Sequence, residues 1–186
     1  MMVLGFIKRR VKELQDEYLC KTLYCALVQP IVEYASVVWS PQFEVDCNRI
    51  ESVQKQFLIF ALRHLGFTGF HLPPYESRLL LLDMTTLKKR RECASAVLIF
   101  DLIKDKIKSD SLKNRIEFVV PRYPRRANTV YRTLKEEFCA TGFSENDAIA
   151  RAIRDFNTHA DCFDSNITRD TFKNRINKKF RKLYVQ

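Results

Sequence analysis

The residues of this chain with a chemistry to offer are cations gathered in three places: Lys88-Lys89-Arg90-Arg91, then Arg122, Arg125 and Arg126, then Lys178, Lys179, Arg181 and Lys182. Such runs could hold a nucleic-acid backbone by neutralising phosphate oxygens and releasing counterions, without reading its sequence, while a solvated helix face is the other reading of the first run. The first run stands at the start of an expected helix, where the macrodipole is already positive, and each cation there costs about a few tenths of a kcal/mol. That placement asks for a reason other than stability. The last run falls at an expected helix C-terminus, where cations are favourable in any case. Tyr123, between basic residues, has a ring that could stack on a base, although in a Pro-rich turn it can equally pack on its neighbours.

The net charge of +10 is unevenly spread. Residues 1–60 are balanced, residues 61–120 carry +4 and residues 121–186 carry +6, so the excess grows toward the C-terminus. That excess suggests a polyanionic partner on that side, and basic solvated helices are the other reading of the same composition.

Catalytic arrangements are missing. The four glycines, Gly5, Gly66, Gly69 and Gly142, match neither the Rossmann nor the P-loop spacing, which disfavours nucleotide-binding α/β enzymes. The adjacent acidic pairs Asp16-Glu17 and Glu136-Glu137 sit in polar, helix-like surroundings and read as solvated faces, not as a two-metal site. No G-x-S-x-G elbow occurs. The six cysteines form no C-x-x-C pair and the three histidines are scattered, which fits buried thiols in a reducing, intracellular compartment better than zinc. No catalytic residue, metal ligand, cofactor or small-molecule ligand is assigned.

The elements that must carry the cations are helices. Residues 17–39 read as one nearly all-round apolar helix kinked at Pro30, with Tyr34 and Trp39 in the core and Glu33 in need of an Arg or backbone partner. This run is too short and too interrupted to span a membrane, which takes roughly 20 apolar residues. Asp46 or Asn48 is the expected cap of the next helix, over 46–64, with Ile50, Val53, Phe57, Phe60 and Ala61 inward, Arg49, Glu51 and Lys55 outward, and His64 at its end.

A short helix is expected over Tyr75–Leu82. Cys93, Ala96, Val97, Phe100, Ile103 and Ile107 make one continuous stripe in a helix over 86–106. Residues 108–126 read as a linker or short strand with a basic Pro-rich end. Ser144-Glu-Asn-Asp147 fits a capping box before Ile149, Ala152, Ile153, Phe156 and Ala160. A last helix from about Thr168 has Phe172, Ile176, Phe180 and Leu183 on one side.

Leu4-Gly-Phe-Ile7, Leu23-Tyr24 with Leu27-Val28, Glu33-Tyr34-x-Ser36-x-Val38-Trp39-x-Pro41, Ile50-Glu51-x-x-Gln54-x-x-Phe57-Leu58, Leu72-Pro-Pro-Tyr75 and Leu87 followed by Arg90-Arg91 resemble, in order and spacing, the region downstream of the palm in reverse transcriptases of non-LTR (LINE-like, jockey-type) retrotransposons. The resemblance covers about residues 3–105 and continues more loosely through Ile153, Phe156-Asn157 and Phe163. Ile59 stands where the family often has a basic residue.

The expected fold is all-α, with an irregular helical bundle over 1–107, which the resemblance identifies with a polymerase thumb. On the reading of the residues, a linker with a basic Pro-rich segment follows over 108–126 and a C-terminal basic helical hairpin over 127–186. The resemblance implies contact with RNA or an RNA–DNA hybrid through phosphates, and with the palm domain of an intact polymerase. The family's Tyr-x-Asp-Asp metal site, which would hold Mg²⁺, lies upstream of the matching region, as does its endonuclease, so this chain reads as a fragment without polymerase activity, in nucleus or cytoplasm. Met1-Met2 enters the family pattern within a helix. Two other readings stay open: a helical protein-interaction module or inert relic, and a helix-turn-helix reader, against which the long connection from about Cys162 to Thr168 counts.

Overall fold

The computed structural model describes residues 2–14, 17–67, 72–119, 133–136, 141 and 146–182, with backbone alone for Met2, 10–14 and 17–18. The fold is all-α: beyond helices, the described residues contain one isolated antiparallel bridge, Phe118 to Leu134. That bridge, flanked by hydrogen bonds from Val119 N–H to Thr133 O (3.0 Å) and from Lys135 N–H to Glu117 O (2.8 Å), stands where the linker or short strand was expected. No described helix is long and apolar enough to cross a membrane.

The chain forms two compact units. The first takes residues up to Ser36 and 40–90, the second Val37–Trp39 and residues from Arg91 on. The boundary between them in sequence falls inside one helix, between Arg90 and Arg91.

The first unit holds α1 (Met2–Leu14), α2 (Glu17–Leu23), a π-helical turn (Tyr24–Val28) and α3 (Gln29–Glu33). The single kinked helix expected over 17–39 is therefore divided. Pro30 has no N–H and its ring crowds the carbonyl four residues back, and the wider turn just before it absorbs both effects. The Gln29 N–H bonds to Tyr24 O, five residues back, and Pro30 falls in the first turn of α3, where a missing donor costs nothing.

Tyr34 then turns extended and Ala35 left-handed (φ 49°), which separates α4 (Ser36–Trp39). The register that would have carried Tyr34 and Trp39 onto a buried stripe is lost there. Tyr34 is 80% exposed and Trp39 40%, so neither belongs to the core expected for them.

α5 (Glu44–His64) starts two residues before the expected range, on Phe43, and neither Asp46 nor Asn48 caps it. Glu44 and Asp46 in its first turn, and Arg63 and His64 in its last, suit the dipole instead. Val53, Phe57 and Ala61 are buried as their spacing implies, and Phe57 stacks on Tyr24 with centroids 4.0 Å apart. They join Leu4, Ile7, Leu58 and, from α6 (Tyr75–Leu81), Leu79 in one core.

Glu51 does not face outward. It is buried, accepts the Tyr75 hydroxyl hydrogen and accepts the Leu87 N–H at 3.1 Å. Gln54, fully buried beside it, donates to Thr85 O at 2.8 Å. Buried polar groups stay favourable only when bonded in this way. The two side chains fix the start of α7 (Leu87–Ile103) against α5.

In the second unit the α7 stripe of Cys93, Ala96, Val97 and Phe100 packs with Ile149, Ala152, Ile153 and Phe156 of α9 and with Phe172, Ile176 and Phe180 of α10. α8 is the short turn Asp110–Lys113, α9 spans Ala148–Thr158, a 3-10 turn covers Ala160–Cys162, and α10 spans Arg169–Lys182. Asn157 holds Leu134 by mimicking a peptide: its amide donates to Leu134 O (2.9 Å) and accepts from Leu134 N–H (2.8 Å).

The cap of α9 is Asp147 itself, and Ser144, where a capping box was expected to begin, lies outside the described residues. Asp147 accepts from Ile149 N–H (3.0 Å) and Ala150 N–H (3.2 Å) and pairs with Arg115 at 2.7 Å. Burial alone would raise its carboxyl, but Arg115 and the two N–H groups outweigh that and hold it low. Its contribution is thus present above the usual carboxylate range and lost as pH falls through the lowered value. Asp147→Ala should lower stability by about 1 kcal/mol at neutral pH. Thermal melts at pH 7 check this, and an unchanged midpoint would remove the capping role.

Candidate nucleic-acid interface

The first cation run does not form one face. Lys88 is exposed and Lys89 half-buried, with the Lys89 N–H on Thr86 Oγ1 at 3.2 Å. Arg90 turns its guanidinium to Glu33: Nε donates to Oε1 and Nη2 to Oε2 (3.0 Å), while Gln29 donates to Oε1 at 3.0 Å. This is the Arg partner that Glu33 needed. Arg91 is only 3% exposed, and its Nε and Nη1 have no acceptor.

The argument from the macrodipole changes accordingly. The Glu51 carboxylate at the start of α7 offsets the positive helix end, and Arg90 is held by an ion pair inside the first unit. Of the four cations, Lys88 remains fully on the surface. The second run, Arg122, Arg125 and Arg126, lies outside the described residues, as does Tyr123.

The third run is carried by α10, whose buried Phe172, Ile176 and Phe180 fix which side meets solvent. Lys178, Arg181 and Lys182 are exposed on the opposite side, together with Arg175, which sequence reasoning placed between the apolar positions without assigning it to the interface. The signal was available: Arg175, Lys178 and Lys182 stand at i, i+3 and i+7, one helical face. Arg175 also donates to Cys162 O at 3.3 Å.

Lys179 is different. It donates to Asp161 Oδ1 at 2.8 Å and to Thr158 O at 3.0 Å, and so ties the second half of α10 to the end of α9. Burial would raise the Asp161 carboxyl, and Lys179's hydrogen bond and charge together bring it below the ordinary range. Next to them His159 is buried edge-on against Phe180, centroids 5.1 Å apart, with no partner on either ring nitrogen. Burial, then the Lys179 charge, lower its pKa. The Cys162 thiol is buried, and that burial pushes its pKa up.

Among the described residues no group of three or more His, Cys, Asp or Glu converges as a metal ion would require. His64 ends α5 and stacks on Phe60. What this arrangement does chemically is present positive charge on a rigid helix. Comparison with family models, with curated proteins and with solved structures finds no match.

Proposed function

We propose that this chain is the thumb and post-thumb region of a non-LTR retrotransposon reverse transcriptase, apart from its palm, and that it holds an RNA–DNA template–primer duplex by its phosphates. The observation that carries the reading is the exposed row of cations on α10, on a chain of net charge +10. The ordered motifs from Leu4 to Arg91 support the family origin. In this reading the chain is not an enzyme by itself, Mg²⁺ belongs to carboxylates of the palm, and the work is done in a reducing intracellular compartment, nucleus or cytoplasm.

A second reading is favoured by a separate observation. In the first unit Ile31, Tyr34, Phe43 and Val45 are each more than 60% exposed, large apolar side chains of the kind a protein partner covers. A palm domain would satisfy both readings at once. A helical protein-interaction module would satisfy only this one, as would an inert relic that has lost its palm.

The test uses the full chain with two mixed-sequence 20-base-pair RNA–DNA hybrids of unrelated sequence, and a primed RNA template with nucleotides and Mg²⁺ or Mn²⁺. The proposal expects equal affinity for both hybrids and no primer extension. Metal-dependent incorporation that persists through purification would overturn the assignment of chemistry to a missing palm. A strong preference for one hybrid would favour a sequence reader instead.

A further inference from the structure

We propose that His159 is an acid-opened latch on the joint between α9 and α10: its neutral imidazole closes the joint, and protonation of the ring forces it open. The latch belongs to the second unit and does not depend on what α10 binds.

Backbone bonds alone fix the position. α9 ends at Thr158, and His159 (φ −114°, ψ 17°) turns the chain into the 3-10 turn, its N–H on Phe156 O at 2.9 Å and its carbonyl accepting the Cys162 N–H at 2.9 Å. That turn needs no imidazole, so the ring is there for what it packs on. It is 3% exposed and stands edge-on to Phe180 of α10, with ring planes at 86°. The ring thereby joins the end of α9 to the last turns of α10.

The surroundings have no place for a second proton. Neither ring nitrogen has a partner. A neutral imidazole in that state leaves one donor and one acceptor unmade, whereas the imidazolium would bury a full charge and two donors. Lys179 donates to Thr158 O (3.0 Å) and to Asp161 Oδ1 (2.8 Å), so its ammonium is clamped between residues on either side of His159 in the chain, and the nearby carboxylate is engaged. Arg175, one turn earlier on α10, brings a further cation to Cys162 O at 3.3 Å. The Cys162 thiol, raised by burial, supplies no negative charge at neutral pH. Asp155, one turn back on α9, answers to Glu92 and Ser95.

Burial first, then Lys179, lower the imidazole's pKa from its ordinary 6.5, against the pull of Asp161. The closed joint therefore binds fewer protons than the open one. Its stability is complete above about pH 6.5 and falls as pH drops below that value. Opening lets the ring take its proton in water and frees Phe180 and the ties of Lys179 with it.

The experiment is amide hydrogen exchange of the full chain at pH 7.5 and pH 5.0, corrected for the intrinsic effect of pH on exchange. Asp155 titrates in the opposite direction, so the comparison is made in Asp155→Asn, with and without His159→Phe, which keeps a ring against Phe180 and removes the titration. In Asp155→Asn the amides of residues 176–182 should open about five- to thirtyfold more at pH 5.0, the upper figure being the protonation ratio of an ordinary histidine at that pH. With His159→Phe added, the change should stay within about twofold, because nothing in the joint then takes the proton. Lys179→Met, which leaves Asp161 to the imidazolium, should reduce the acid response at least about twofold. In the parent, the assigned His159 ring signal in NMR should still be mostly neutral at pH 6.0.

An acid response that survives His159→Phe would overturn the latch. So would a His159 ring that titrates at or above pH 6.5 in the folded parent, a measurement that stands even where a variant fails to fold. Equal acceleration across residues 53–62 of α5 would mark general acid unfolding and overturn it too, as would a Lys179→Met variant as acid-sensitive as Asp155→Asn alone.

Discussion

Replacing Phe172 by Ala should cost about 3–5 kcal/mol, because the ring is fully buried and the core around it is aromatic and tightly interlocked. It stacks on Phe100 with centroids 4.9 Å apart and meets Phe156 at 5.9 Å and, edge-on, Phe163 at 6.3 Å. These contacts come from α7, α9 and the connector before α10, so a single truncation opens a cavity shared by the whole second unit. A loss of that size is comparable with the entire stability of many small domains. The chain's one tryptophan, Trp39, belongs to the same unit and gives a fluorescence signal for its unfolding. Urea titration followed at that residue should show the midpoint collapse. A change under about 1 kcal/mol would mean that α10 is not part of this core.

The second large effect is a pH dependence centred on Asp155. This side chain of α9 faces Glu92 and Ser95 of α7, with Arg151 and Arg154 beside it on its own helix. Burial, then the Glu92 charge, push its carboxyl up to about 7, against the pull of the Ser95 hydrogen bond and the two arginines.

The folded protein therefore keeps a proton that the unfolded chain has already released. Stability falls as pH rises from about 4 to about 7, by about 4 kcal/mol at most, and the penalty persists above that window. Asp155→Asn should abolish this part of the slope and make the variant the more stable protein at pH 8. Equal parent and variant midpoints at both pH 5 and pH 8 would show that Asp155 is not held against Glu92.

Sequence periodicity made the main helices legible because their stripes are long and local. Cys93 to Phe100, Ile149 to Phe156 and Phe172 to Phe180 are read correctly from spacing alone. The need of Glu33 for an arginine is also legible, since an unpaired carboxylate in an apolar stretch has few outcomes.

Where sequence reading failed, the cause lies far along the chain or in the backbone. Glu51 reads as an outer residue until Tyr75 and Leu87, 24 and 36 positions later, supply its partners. The division of residues 17–39 depends on how Pro30 is relieved and on a left-handed Ala35, neither of which periodicity encodes. For the expected interface, a run of cations is not a face. On α7 consecutive positions point around the helix, so Arg90 reaches Glu33 and Arg91 is buried, and only on α10 does a buried stripe sort the charges to one side.

The central claim, that the chain grips nucleic acid by its phosphates, is tested most directly by the salt dependence of its affinity for an RNA–DNA hybrid. The full chain, titrated by fluorescence anisotropy between 50 and 200 mM salt, should give a straight line of log K against log salt with a slope of about −3 to −5, the release expected for four or five phosphates. A slope near zero, or no binding at 50 mM, would contradict it.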